Sequence, residues 1–323
     1  MSFWQKILGK GGPVQEGAAS LEPSGSNPAL LSRQEATRML LHSVKSWNAF
    51  RKIHLDFIPD LSGADFRMAN LSGADLSGVN LNNSDLRKAN LTWAALNGTR
   101  LNRADLSQAK LGYAYLSGAD LSGARFISAD LREARLNDAD LHGADLSDAD
   151  LRGANLSGAD LSRATFCRAN LCHANLSRSN LFSAHLDKAY LTGANLGEAN
   201  LISADLREAS LKDADLRGAE IRKADLSGAN LHGAILYKVN LGDANLSGAN
   251  LSDADMNGAK IEGAIFEGAN LSGVQLLNSD LTEADIYEKE RRRVEHDGKQ
   301  SETPSDVPQQ EMGNNLEPGF AQA

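Results

Sequence analysis

The chain has 323 residues, a net charge of −9 at pH 7, and 41% hydrophobic but only 5% aromatic residues. It contains no apolar run of the roughly 18 residues that a transmembrane helix needs, so none is expected. Its two cysteines do not suggest a disulfide framework, and its first residues lack the apolar stretch of a signal peptide. We therefore expect a cytoplasmic protein.

Residues 1–31 are predicted to be a flexible N-terminal segment, because positions 9–30 are rich in Gly, Pro, Ser and Ala. The beginning of this segment is apolar with lysines beside it. That composition could touch a membrane surface or dock a partner, but the cluster is too short for firm anchoring. Its residues are Phe3, Trp4, Ile7 and Leu8, with Lys6 and Lys10.

Residues 32–60 are predicted to form a short capping helix and the entry to the next segment. Ser32 and Glu35 have the spacing of a capping box, in which each side chain bonds the backbone N–H of the other residue. We expect the apolar stripe of this helix to cover the open end of the next segment. The stripe consists of Ala36, Leu40, Val44 and Trp47.

From Leu61 to Ile286 an apolar residue stands at every fifth position, and 38 of these 46 residues are Leu. A step of five rotates a helical side chain by about 140°, which would spread the leucines around the helix. In a straight strand the same step places successive leucines on opposite faces. The leucines all face inward only if the chain bends once per five residues. The positions without Leu are Phe66, Phe126, Phe166, Ile221, Met256, Ile261, Phe266 and Ile286.

The other positions of the repeat fit this bend. Ala stands two residues before most of the leucines and Asp or Asn one residue before, as in Ala154-Asn155-Leu156. Gly and Ser dominate the two residues after the Leu, where turn conformations are needed. All seven prolines lie outside residues 61–286, where a missing N–H would interrupt a ladder bonded on both sides.

This A-(D/N)-L-x-x pattern resembles the pentapeptide repeat family over residues 61–286. The resemblance implies an all-β solenoid, namely a right-handed quadrilateral β-helix with four repeats per coil and about 11 coils. The passage from helix to repeats at residues 46–61 is similar to that of many bacterial members, so we expect a bacterial protein.

A coil of 20 residues would place four phenylalanines in one of its four columns. They are Phe66, Phe126, Phe166 and Phe266. This arrangement suggests that one side of the rod has room for larger rings, although a history of repeat duplication would also produce it.

Residues 287–323 are predicted to be a charged, disordered C-terminal tail. No clear apolar C-terminal cap is recognisable, unlike in family members that dimerise through one. We therefore expect a monomer or a weak dimer.

No arrangement of residues predicts catalysis, a cofactor or a metal site. The aspartates are periodic structural residues, and the seven histidines are scattered. A weak metal site at Cys167, Cys172, His173 and His185 is conceivable, but a few outward side chains on neighbouring sides explain the same pattern.

Aromatic and basic residues interrupt the repeat between positions 93 and 135. Trp93 and Tyr113 are 20 residues apart and should stack on adjacent coils, with Tyr115 and Arg135 in the next column. Six positions before the apolar residue depart from Asp or Asn, namely Ala95, Arg100, Lys110, Tyr115, Arg125 and Arg135. Aromatic residues rimmed by arginines are typical of interface hot spots. Stacking that only stabilises the rod is the alternative.

The charge pattern bears on a second function. Some members of the family resemble B-form DNA in width and negative charge and bind type II topoisomerases. Here 21 basic residues interrupt the acidic rows of residues 61–286, and only the C-terminal third is strongly negative. Mimicry of a duplex would favour a more continuous negative field.

These observations predict a non-enzymatic protein-interaction scaffold. Trp93, Arg100, Tyr113, Tyr115 and Arg135 are the candidate residues for binding an unknown protein partner. The alternatives are a DNA-mimicking modulator of a type II topoisomerase such as gyrase, and a membrane-surface adaptor acting through the N-terminal segment. We expect no direct binding of nucleic acid.

Overall fold

The computed structural model describes residues 32–279, which all lie in one compact unit, Met1–Glu283. The predictions for residues 1–31, for Ile286 and for the tail at 287–323 fall outside the described residues. Within 32–279, no helix is long and apolar enough to cross a membrane. The helices are α1 (Arg33–His42) and α2 (Val44–Ile53), and the repeats follow from Asp60 onward.

The N-terminal cap consists of two helices where the sequence predicts one. Helix α1 begins with the capping box of Ser32 and Glu35, but it ends at Ser43, whose backbone is extended (φ −161°, ψ 110°). The Ser43 hydroxyl then accepts a hydrogen bond from Ser46 N–H and caps α2. Val44 was predicted within a single apolar stripe, and this is wrong because it begins α2 and is only half-buried. Leu40 and Trp47 are buried, together with Met39 and Phe50.

Each turn of the coil contains 20 residues. Isolated parallel bridges join residues 20 apart without interruption, from Asp60↔Asn80 to Asp255↔Gln275. Since bridging residues recur every five positions, each coil has four short sides. A side contributes a one-residue bridge and no longer strand, because its other residues form the turns at the corners.

The corners are β-turns with a left-handed residue at the third position. In the first repeat, Ala64 N–H donates to Leu61 O (3.1 Å), and Gly63 between them has φ 66°. The equivalent residue has a φ between 54° and 74° in every repeat from Gly63 to Asn278. Type II turns require a positive φ at this position, which explains why Gly is so frequent there.

The repeat at residues 90–94 shows where each backbone N–H is bonded. Leu91 and Trp93 donate to the following coil, Asn90 donates to the preceding coil, and Ala94 closes the turn onto Leu91. The remaining N–H, that of Thr92, donates to the side-chain Oδ1 of Asn90 at 3.1 Å. The Asp or Asn before each Leu therefore satisfies the one donor that the coils themselves leave over.

The predicted inward residues form the core. Leu61, Phe66, Phe126 and Phe166 are at most 1% exposed, and Phe266, near the end of the described residues, is 6% exposed. The bridges place the four phenylalanines in one column. Where a hydroxyl replaces the inward Ala, it usually bonds a nearby carbonyl, as Thr99 Oγ1 bonds Leu76 O at 2.8 Å.

Side chains of α2 replace the missing coil beneath one side of the first coil. Trp47 Nε1 donates to Asp75 O and Arg51 Nη2 donates to Ser77 O, each at 2.7 Å. Asn48 Oδ1 accepts from Asp75 N–H at 2.9 Å. In later coils the equivalent backbone groups bond the preceding coil. The cap therefore satisfies an edge that would otherwise expose unpaired backbone groups.

The indole hydrogen bond can be tested without removing the buried ring. We expect Trp47→Phe to lower the free energy of unfolding by about 1–3 kcal/mol, because it leaves the buried carbonyl of Asp75 without a donor. Chemical denaturation followed by circular dichroism measures this change. Lys52→Ala, on the exposed face of the same helix, is the control and should change stability by less than about 0.5 kcal/mol. Equal effects of the two substitutions would contradict the edge-satisfying role.

The proposal that one side of the coil accommodates larger rings has its own test. Leu146 lies between Phe126 and Phe166 in the phenylalanine column, whereas Leu151 lies in the next column. We expect Leu146→Phe to cost under about 1.5 kcal/mol and Leu151→Phe about 1–3 kcal/mol, because overpacking forces the backbone to shift. Urea denaturation of both variants decides between a roomier side and duplication history.

Candidate functional site

The repeats around positions 93–135 satisfy their backbone in a different way from the rest. Tyr115 occupies a position that Asp or Asn usually holds, so it cannot cap the N–H two residues later. Instead, Ser117 N–H donates to Oδ1 of Asn97 in the preceding coil at 3.1 Å. A second such pair joins Asn102 N–H to Asn82 Oδ1 at 2.9 Å. An Asn one coil earlier thus releases the usual capping position for another side chain.

The predicted ring pair is present on the surface. Trp93 and Tyr113 stack with ring centroids 4.5 Å apart and planes only 7° from parallel. Their side chains remain about half exposed, at 53% and 46%. Both residues stand at the left-handed turn position, with φ values of 61° and 60°. Bulky side chains are uncommon in this conformation, where Gly is free of strain.

Tyr115 and Arg135 extend the ring pair into the next column. The Tyr115 ring lies 6.5 Å from that of Trp93, and the Arg135 guanidinium lies 5.0 Å over the Tyr115 ring. Ala95 is bridged to Tyr115 in the preceding coil and contributes only a methyl group beside the rings. We call Trp93, Tyr113, Tyr115 and Arg135 the aromatic patch.

Arg100, the fifth predicted binding residue, is not part of this patch. It bridges Asn80 and Asp120, which places it on the following side of the coil. Within residues 32–279, only Arg135 and Lys238 hold a cation over a ring. The sequence prediction grouped Arg100 with the rings because both interrupt the repeat, but the coil corner separates them.

Many arginines of the rod are paired with an Asp two residues earlier, which the sequence analysis missed. In one example, Arg207 Nη2 and Nε donate to the two carboxylate oxygens of Asp205 at 2.5 and 2.7 Å. The signal was an Asp-Leu-Arg or Asp-Phe-Arg tripeptide across the register position. These forks occur at Arg67, Arg87, Arg132, Arg152, Arg207 and Arg217.

The forks divide the surface cations into two kinds. Hydrogen bonding by Arg67 lowers the pKa of the Asp65 carboxyl to about 2. The Arg207 side chain likewise holds the pKa of Asp205 below its usual value. In contrast, Arg135 forms no ion pair with any described residue and is available to the aromatic patch and to a partner.

The cysteine and histidine cluster does not assemble a metal site in the part of the chain that is described. No group of three or more His, Cys, Asp or Glu side chains there could hold a metal ion. Cys167 Sγ donates to Asp187 Oδ1 at 2.7 Å. Burial, together with the neighbouring Asp187 carboxylate, raises the pKa of the Cys167 thiol to about 12. Such a thiol is a poor nucleophile at neutral pH.

Comparison with known families gives one match. The family model described as pentapeptide repeats matches overlapping segments that together run from residue 60 to residue 288. No curated protein sequence matches the chain.

Several solved structures are similar to this chain. HetL from the cyanobacterium Nostoc sp. strain PCC 7120, involved in heterocyst differentiation regulation, is 36% identical over 61% of this chain and 86% of its own, with a TM-score of 0.51. Rfr23 from the cyanobacterium Cyanothece 51142 is 34% identical over 33% and 63%, with a TM-score of 0.19. Full-length QnrB1, a plasmid-mediated fluoroquinolone resistance protein, is 19% identical over 62% and 96%, with a TM-score of 0.27.

The forks predict a direction for the pH dependence of stability. A carboxyl whose pKa is lower in the folded chain than in the unfolded chain stabilises the fold above the unfolded value of about 3.9, and this stabilisation is lost as the pH falls toward the folded value. We expect a melting temperature that is constant from about pH 7 to 5 and falls from about pH 4 to 2. Asp205→Asn keeps the backbone cap but removes the charge, so its melting temperature should fall less over the acid range. An equal acid dependence in both proteins would contradict the contribution of this fork.

Proposed function

The chain belongs to the pentapeptide repeat family, and from that premise we propose that it is a non-enzymatic scaffold that presents the aromatic patch to a protein partner. We infer that its coil is right-handed, as in the family fold, with about 11 coils at four repeats each. Stacked coils bonded to each other at every side make a rigid support for a binding surface.

The observation that carries this proposal is the position of the rings in the repeat. Trp93 and Tyr113 occupy turn positions with positive φ, where Gly is free of strain and is the most frequent residue. Tyr115 occupies a position where Asn would cap a backbone N–H. The fold would therefore be satisfied by smaller residues at all three positions, and the exposed rings are better explained by binding than by stability.

The composition of the patch also suits a protein interface. Exposed Trp, Tyr and Arg side chains provide large contact areas with little loss of conformational freedom, and they dominate binding energy in protein complexes. The stacking of Trp93 on Tyr113 and of Arg135 on Tyr115 holds these groups in place before a partner arrives. Preorganisation of this kind lowers the entropy lost on binding.

The similarity to HetL supports the broad class of the proposal. HetL is a pentapeptide repeat protein involved in the regulation of heterocyst differentiation. A regulatory role of that general kind is compatible with a scaffold that binds a protein and carries out no reaction.

The proposal predicts that the rings can be removed without harming the fold. Trp93→Gly relieves a positive φ and Tyr115→Asn restores a capping side chain, so the double variant should keep its free energy of unfolding within about 1 kcal/mol of the wild type. We expect it to lose its specific partners in a pull-down from extract of the source cell, quantified by mass spectrometry.

Tyr190→Asn is the matched control, because it removes an exposed Tyr at the same repeat position in a different column. It should capture the same partners as the wild type. If the patch variant also captured them, the aromatic patch would not be the binding surface. A loss of several kcal/mol of stability in the double variant would favour a purely structural role for the rings.

A further inference from the structure

The two helices of the cap bury one face each and expose the opposite face. The buried residues are Ala36, Met39 and Leu40 in α1, and Trp47, Phe50 and Arg51 in α2. Positions 34, 38 and 41 of α1 and 45, 49 and 52 of α2 have the three- and four-residue spacing of one helical face, and all are exposed. The contacts of α2 with the first coil leave this outer surface uncovered.

The outer surface is unusually apolar at the end of α2. Ile53, Leu55 and Ile58 are 67%, 80% and 60% exposed, although they lie within six residues of one another. Leu41 at the end of α1 is 49% exposed. A cluster of large apolar side chains on the surface marks a site of contact with a protein or a membrane.

The charge of this surface distinguishes between such contacts. Lys45 and Lys52 lie on the exposed face of α2, and neither forms an ion pair with any residue in 32–279. The exposed Asp60 is paired with Arg33 at 3.1 Å, which leaves Asp56 as the exposed acid without an ion pair in the cap, residues 32–60. Apolar side chains beside unpaired lysines are typical of segments that lie in the interface of an anionic membrane.

We propose that the outer surface of the cap docks on an anionic lipid surface. Leu41, Ile53, Leu55 and Ile58 enter the boundary between headgroups and acyl chains, and Lys45 and Lys52 approach the lipid phosphates. The apolar and basic residues at positions 3–10 of the sequence provide a second segment of the same chemistry on the N-terminal side. Two such signals are what stable peripheral binding requires. This docking does not depend on the aromatic patch.

Sedimentation of the full-length chain with lipid vesicles tests the proposal. We expect binding to vesicles of phosphatidylcholine with phosphatidylserine, and much weaker binding to phosphatidylcholine alone. Lys45→Ala with Lys52→Ala should lower the partition coefficient on anionic vesicles about thirtyfold, because each lysine near such a surface contributes about 1 kcal/mol. Leu55→Ser with Ile58→Ser should lower it at least about tenfold.

The control removes similar side chains at the other end of the described residues. Leu277, 71% exposed, and the exposed Lys260 lie far along the chain from the cap, and Leu277→Ser with Lys260→Ala should bind vesicles like the wild type. Circular dichroism confirms that each variant is folded. The proposal is overturned if the wild type does not sediment with anionic vesicles, or if the cap variants bind as tightly as the control. It is also overturned if Leu55→Ser with Ile58→Ser abolishes self-association in light scattering while vesicle binding is unchanged, since the surface would then bind a second copy.

Discussion

The structure depends on a single leftover hydrogen-bond donor in each five-residue repeat. Three of the five N–H groups bond neighbouring coils and one closes the turn, so the residue after each Leu needs a partner from a side chain. An Asp or Asn one residue before the Leu supplies it. Because this requirement recurs at every side of every coil, it determines most of the outward polar surface, and the periodic aspartates need no catalytic explanation.

The same requirement shows where the surface is free to vary. An Asn in the preceding coil can cap the donor instead, as Asn97 does for Ser117, and the usual capping position then becomes available to a residue such as Tyr115. The inward Leu and Ala still hold the coil together beneath it. A solenoid can therefore change its outward side chains locally without disturbing its neighbours, because each coil contacts only the coils beside it.

The described chain carries two surfaces of different physical character. The aromatic patch is a set of stacked rings on a rigid coil, and its side chains are positioned by each other. The outer surface of the cap is a pair of helix faces and the following loop, where apolar side chains and unpaired lysines lie together. The first suits a shaped protein surface, whereas the second suits a charged apolar interface. Both are compatible with one molecule, because the cap lies at the start of the rod.

The five-residue period alone determined the inward leucines, the 20-residue coil and the column shared by the phenylalanines, since any bend that keeps one residue in five inside leads to the same geometry. The capping box of Ser32 and Glu35 was equally legible, because its partners are three residues apart. The break at Ser43, the Asp-x-Arg forks and the separation of Arg100 from the rings were decided by the tertiary structure. In each case the outcome depends on which coil or corner lies next to a side chain. Proximity across a corner has no fixed spacing in the sequence, so a linear pattern cannot predict it.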